Sequence, residues 1–209
     1  GCELDGPGAT DGVVGEVADP QFWASAVGDR MIFRDAGTGA IRAALNGGKY
    51  VGDWAFEDFT LLTGREGEWD AALGGPSPVV FESETWLFYD GVDDSGAGGI
   101  GAATSSDEVT FERISDAPLV DAGNGSHDAV RAADPYVIYD VQGAIWRMYY
   151  GAWDGDVWTV GHAWSEDLLE WTVSEVPVFT ADDGGNAAAP VVTYTSGEFR
   201  MWTTRGEAG

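Results

Sequence analysis

Prolines at 20, 78, 135 and 190 stand 58, 57 and 55 residues apart, and each opens a run rich in β-branched and aromatic residues that a polar turn separates from a second such run. Strands in series at a period of ~55 residues are what successive propeller blades require, so the sequence predicts an all-β chain, a β-propeller with four-stranded blades of about 55–58 residues. A β-sandwich also strings short strands together, but nothing makes its sequence repeat at this interval.

The units begin near residues 19, 77, 134 and 189, at Asp19-Pro20, Ser77-Pro78, Asp134-Pro135 and Ala189-Pro190. First runs are PQFWASAV, PVVFES, PYVIYDV and PVVTYTS, and second runs are RMIFRDAG, TWLFYDGV, WRMYYGAW and FRMWTTRG. The second and third units continue as GIGAATSSDEVTFERI and TVGHAWSEDLLEWTVS, which align Ser105, Asp107 and Phe111 with Ser165, Asp167 and Trp171. In the divergent first unit only Trp54 and Phe56 offer counterparts of that last aromatic. Residues 1–18 read as a tether or lead-in, and 19–209 as the propeller domain, its last unit expected to be incomplete at the C-terminus.

A proline at the start of a strand forfeits no ladder bond it needed and fixes the backbone angle on entry to the sheet. In a propeller the first strand of each blade lies nearest the axis, so the residue beside each proline is expected to face the central funnel. Asp19 and Asp134 occupy that place. A second polar position recurs seven or eight residues before the prolines, at Asp70, Asp128 and Asp182 or Asp183, and is expected to approach the same end.

Charge narrows the partners. With 36 acidic residues against 10 basic ones, a net charge of -26 and Lys49 as the only lysine, the surface repels phosphate backbones, and nucleic acid is excluded as a partner. The acidity reads first as solvation, and second as cation binding in loops such as Asp93-Asp94 or Asp182-Asp183. No run of 18 apolar residues occurs, so no transmembrane segment is expected. The Gly-rich DDSGAGGIGAATS runs into a strand pattern, whereas a phosphate loop needs a helix N-terminus. His127 and His162 lack metal-ligand spacing, and no metal ligand is assigned.

The Asp-Pro starts, the Met148-Tyr149-Tyr150-Gly151 second strand and the Ser165-x-Asp167-Leu168-x-x-Trp171 element together resemble the five-bladed β-propeller glycosidases of the arabinanase, xylosidase, invertase and levansucrase superfamily. The resemblance runs from Asp19 onward and is most specific in the third unit. It implies Asp19 as general base and Asp134 as the carboxylate that orients substrate and tunes the acid. The general acid of that group is a glutamate two residues before an inner-strand proline, where this chain has Ala188. Asp182, Asp183 and Glu198 are the carboxyls from which a substitute could come, because inversion needs one protonated and one ionised carboxyl across the bond. Five blades of ~57 residues would need about 285. The group also implies that no cofactor is required, with a central calcium as the cation it admits.

Aromatic faces stack on sugar rings, and Trp23, Trp153 and Trp202, which follow inner or second strands, are expected with Asp70, Asp128 and Arg131 to bind substrate. The Gly1-Cys2 pair and the Gly- and acid-rich stretch after it resemble a processed bacterial lipoprotein terminus, implying lipidation at Cys2 and a secreted or cell-envelope surface location. The expectation is a monomeric, extracellular, carbohydrate-active propeller that binds oligo- or polysaccharide and hydrolyses it if an acid is supplied. The alternatives are a propeller that binds glycan without turnover and a surface lipoprotein that serves as a protein-interaction scaffold.

Overall fold

Each inner strand begins with the same backbone irregularity. The structure, a computed structural model, describes residues 17–47 and 54–206. In these, Asp19, Gly75, Asp134 and Ala189 all adopt positive φ, at 53°, 37°, 49° and 48°, and each is followed by a proline. At each place the pairing register slips, as a β-bulge does when it inserts a residue that the partner strand cannot match.

Four antiparallel strands make the first blade, β1 (Val17–Ser25), β2 (Gly28–Asp35), β3 (Ile41–Asn46) and β4 (Trp54–Leu62). The second holds β5 (Ala72–Phe81), β6 (Glu84–Val92), β7 (Gly98–Ser105) and the short β8 (Glu112–Arg113). The third repeats it with β9 (Arg131–Asp140), β10 (Ile145–Trp153), β11 (Trp158–Ser165) and β12 (Thr172–Val173). A hairpin of β13 (Asn186–Thr195) and β14 (Glu198–Gly206) follows. Inner strands β1, β5, β9 and β13 pack in that order, so the all-β propeller reading holds.

One register differs from the sequence alignment. The second-blade counterpart of Asp-Pro is Gly75-Pro76, and Ser77-Pro78 lies two residues further along. The overlapping GGPSP offers two prolines, and only backbone geometry distinguishes them. Ser77 instead accepts a hydrogen bond on Oγ from the Val137 amide at 3.1 Å, stitching β5 to β9.

Blade stacking explains why β6 is buried along nearly its whole length. Successive side chains of a strand point to opposite faces. Trp86 and Phe88 of β6 join the cluster shared with the third blade, around Ile100, Met148, Tyr150 and Leu168, while Leu87 and Tyr89 join the cluster shared with the first, around Trp23, Ile32, Ile41 and Leu73. A strand buried on both faces needs hydrophobes at every position. Each large side chain so removed from water contributes about 1.5–3 kcal/mol.

The Ser-x-Asp elements are turn staples. Asp107 Oδ1 accepts from Ser105 Oγ at 2.9 Å and from the amides of Val109 and Thr110 at 2.9 and 2.7 Å, and Asp167 repeats this with Ser165, Leu169 and Glu170. Those backbone bonds hold the Asp107 carboxyl down at about 2. Between the first two blades, buried Arg30 reaches Glu57 at 2.7 Å and Glu108 at 3.2 Å, and Glu108 in turn accepts from the Ala26 amide.

Candidate functional site

The four left-handed residues meet. Asp19, Gly75, Asp134 and Ala189, one from each inner strand, line a cleft of about 290 Å³ together with Pro20, Pro135, Pro190, Gln21, Val191 and Thr204. Positive φ costs a non-glycine residue about 1–3 kcal/mol, and aspartate tolerates it better than most. Among the described residues Glu82, Ser83, Glu108, Ala144, Leu168 and Ser196 also have positive φ, but only Asp19, Asp134 and Ala189 do so while lining this cleft.

Asp19 and Asp134 are thus brought together as the sequence implied. Asp19 Oδ2 accepts from Arg34 Nε at 3.0 Å within the first hairpin, both side chains remaining about one-third exposed. The position that Arg34 holds on β2, opposite the residue before the bulge, is Asp90 on β6, Gly151 on β10 and Thr204 on β14. Asp90, 1% exposed, is the site residue that sequence reasoning missed. It carries the carboxyl of the second blade on the second strand, where the first and third blades carry theirs on the inner strand. Glycines at 74 and 75 make room, since a Cβ on Gly75 would lie 2.6 Å from Asp90 Oδ1 and 2.7 Å from the Asp134 Cα.

Asp90 reaches across to the third blade. Its Oδ2 accepts from Arg131 Nη2 at 2.7 Å and its Oδ1 from the Asp134 amide at 3.1 Å. Burial raises the Asp90 carboxyl above the ordinary range against the pull of Arg131. Asp134 is pushed up to about 7, first by burial and then by the charges of Asp90 and Asp19, which outweigh Arg131 and Arg34. The cleft therefore presents Asp19, paired with Arg34, beside Asp134, whose carboxyl is raised by burial and neighbouring charge. Two carboxyls held in different states are the basis of acid–base division of labour.

The remaining expected residues fall elsewhere. Trp23 is 3% exposed and packs edge-on against Phe111 in the core, because the strand that carries it turns that face toward the second blade. Asp70 and Asp128 are completely buried as structural anchors: Tyr89 and Tyr150 donate to them at 3.2 and 3.0 Å, and Asp70 also pairs with Arg65 and Arg113. Arg131 serves Asp90, with its guanidinium over the Trp158 ring. Trp153 stacks on Trp158, and Trp202, 56% exposed, stands opposite Val191 outside the cleft lining.

At the position expected of the acid, Ala189 rather than Ala188 is the left-handed residue of the cleft, and neither carries a carboxyl. Glu198 begins β14, six residues from Thr204 and so about 20 Å away along the strand, and it pairs with Arg200. Asp183 pairs with Arg205. Neither these nor Asp182 lines the cleft. His162 lies between Tyr149 and Trp164, driven down to about 4 by burial and then by Arg147.

The residues do not fit calcium. Two of the three converging carboxyls are already paired with arginines, and among the described residues no group of three His, Cys, Asp or Glu side chains is arranged to hold a metal ion. No described helix is long and apolar enough to cross a membrane. Cys2 and Lys49 lie outside the described residues.

No family model and no curated protein matches the chain. Solved structures do. A glycoside hydrolase superposes with a TM-score of 0.71 at 17% identity, over 88% of this chain and 64% of its own. A Bombyx mori family-32 β-fructofuranosidase, for which a complex with sucrose is also known, gives 0.70 at 19%, over 93% and 42%. A thermostable family-43 glycoside hydrolase gives 0.69 at 18%, over 91% and 64%. The chain thus spans less than two thirds of each of these proteins, and what it shares with them is their fold.

Proposed function

We propose that this chain is a carbohydrate-active propeller that holds a sugar in the cleft where Asp19 and Asp134 meet, with hydrolysis of glycosidic bonds as its activity. One observation carries the reading: two inner-strand aspartates, strained at the same bulge and held in different electrostatic surroundings, line one cavity in a fold shared with glycoside hydrolases. In a hydrolytic role Asp19 takes the proton of an attacking water, and protonated Asp134 faces the sugar. Gln21 and Thr204 add hydrogen-bonding groups for hydroxyls.

Ala188 and Ala189 favour a second reading, binding without turnover, because the blade that would present the acid presents methyl groups. Reducing-sugar release from arabinans, xylans, fructans and aryl glycosides, with Asp19→Asn as control, separates the two. Release abolished by the substitution supports hydrolysis, whereas saturable binding with no release supports the second reading. The extracellular, lipid-anchored location proposed from Gly1-Cys2 is tested by metabolic incorporation of labelled fatty acid, which Cys2→Ser should abolish.

A further inference from the structure

We propose that Asp90 is the positioning residue of the cleft: it fixes Asp134 in its left-handed conformation through the Asp134 amide, and its buried charge makes Asp134 the group that carries a proton there. The use of that proton toward sugar rests on the carbohydrate reading above; the proton's location does not.

Asp90 is bound on both sides. Arg131 anchors one oxygen and the Asp134 amide occupies the other, at 2.7 and 3.1 Å, so neither the carboxyl nor the backbone it grips can turn away. The sequence of the second blade makes this contact: glycine at 74 and 75 leaves room for a carboxylate from β6 to reach the Asp134 amide behind the cleft wall, because a Cβ at either position would come within 3 Å of it. The first blade lacks the device, for there the equivalent of Asp90 is Arg34, which pairs with its own Asp19. The charged groups that face Asp134 are Asp90 from β6, Arg131 from β9, Asp19 from β1 and Arg34 from β2, while β13 lines the cleft with Ala189, Pro190 and Val191.

A neighbouring carboxylate in so dry a position disfavours a second negative charge. Asp90 is gripped by Arg131 and by the Asp134 amide at 2.7 and 3.1 Å, whereas among the described residues the Asp134 carboxyl has no arginine within ion-pair distance, so the proton settles on Asp134, at the cleft wall. There it can be donated to a sugar hydroxyl in binding or to the leaving-group oxygen in hydrolysis, as the bond from that oxygen to the anomeric carbon breaks and water deprotonated by Asp19 adds to the carbon. This places a proton donor on the third blade, in a cleft to which the fourth unit contributes Ala189.

The test is a carbon-detected titration of the carboxyls in the aspartate-labelled chain without sugar. In the wild type the Asp134 signal is expected to titrate near pH 7, with the Asp90 signal sensing the same step. In Asp90→Asn, whose side-chain oxygen can still accept from the Asp134 amide, the Asp134 midpoint is expected to fall by about one unit or more. A wild-type Asp134 that titrates with ordinary carboxylates near pH 4, or a midpoint that Asp90→Asn leaves unchanged, overturns the proposal. The wild-type arm decides even if the variant fails to fold. Sugar binding is not involved, so this inference and the carbohydrate reading can fail separately.

Discussion

The hydroxyl of Tyr150 donates to Asp128 at 3.0 Å inside the third blade, and Tyr89 makes the same bond to Asp70 one blade earlier. In the second and third blades the aspartate before the inner strand is thus a buried acceptor for a tyrosine from the second strand. The glycine of the repeated Ile/Val-Gly-x-Ala motif serves the same pair, since a Cβ on Gly161 would collide with the Tyr150 ring. Tyr150→Phe leaves one buried oxygen of Asp128 without its donor, at a cost of about 1–3 kcal/mol. Urea unfolding at pH 7 is expected to show a lower midpoint with an unchanged slope.

Gly75→Ala strikes the cleft directly. The new methyl would meet Asp90 and the Asp134 backbone, and alanine disfavours a φ of 37°. Strain and overpacking together are expected to cost about 2–4 kcal/mol. The same change at Gly96, whose φ is 88° but whose added Cβ would meet nothing within 4 Å, should cost less. Equal losses in thermal unfolding at the two sites would count against a crowded Asp90–Asp134 contact.

Stability should depend on pH through Asp134. In the folded chain this carboxyl keeps its proton to about 7, whereas an unfolded aspartate releases it near pH 4. Between those values the folded state binds more protons than the unfolded one, so its stability falls as pH rises from about 4 to about 7. Asp134→Asn is expected to flatten that decline, by an amount on the order of a few kcal/mol, in urea titrations at pH 4.5 and 7.5. A parallel decline in both proteins would contradict the raised carboxyl.

Acid unfolding should respond in the opposite sense at Asp107. Its folded carboxyl is held at about 2 by the turn amides, so its contribution is present above pH 4 and is lost as pH falls toward 2. Asp107→Asn is expected to lose that acid-range dependence, read as a smaller drop in unfolding midpoint between pH 4 and pH 2.

Much of this architecture is legible in the residues. Second runs such as TWLFYDGV predict strands, and β6, β10 and β14 fall where those runs stand. That Asp19 and Asp134 line one cleft is legible because Asp-Pro is a local signal for the bulge at which each stands. Asp90 was hidden, since its role depends on two glycines that a repeat alignment through Ser77-Pro78 puts out of register. Strand β3, whose Ile41, Ala43 and Ala44 are interrupted by Arg42, gave no clear alternation. The tryptophans misled for a related reason: at Trp23, strand parity decides between core and cleft, and residue type does not.

The most direct test of the central claim is calorimetric titration of arabino-, xylo- and fructo-oligosaccharides into the wild-type chain and into Asp19→Asn and Asp134→Asn. Saturable binding of at least one sugar series is expected, weakened about tenfold or more by either substitution, each of which alters a hydrogen-bonding group at the cleft. Absence of binding to every series by a folded wild-type chain, or binding that neither substitution changes, would contradict it.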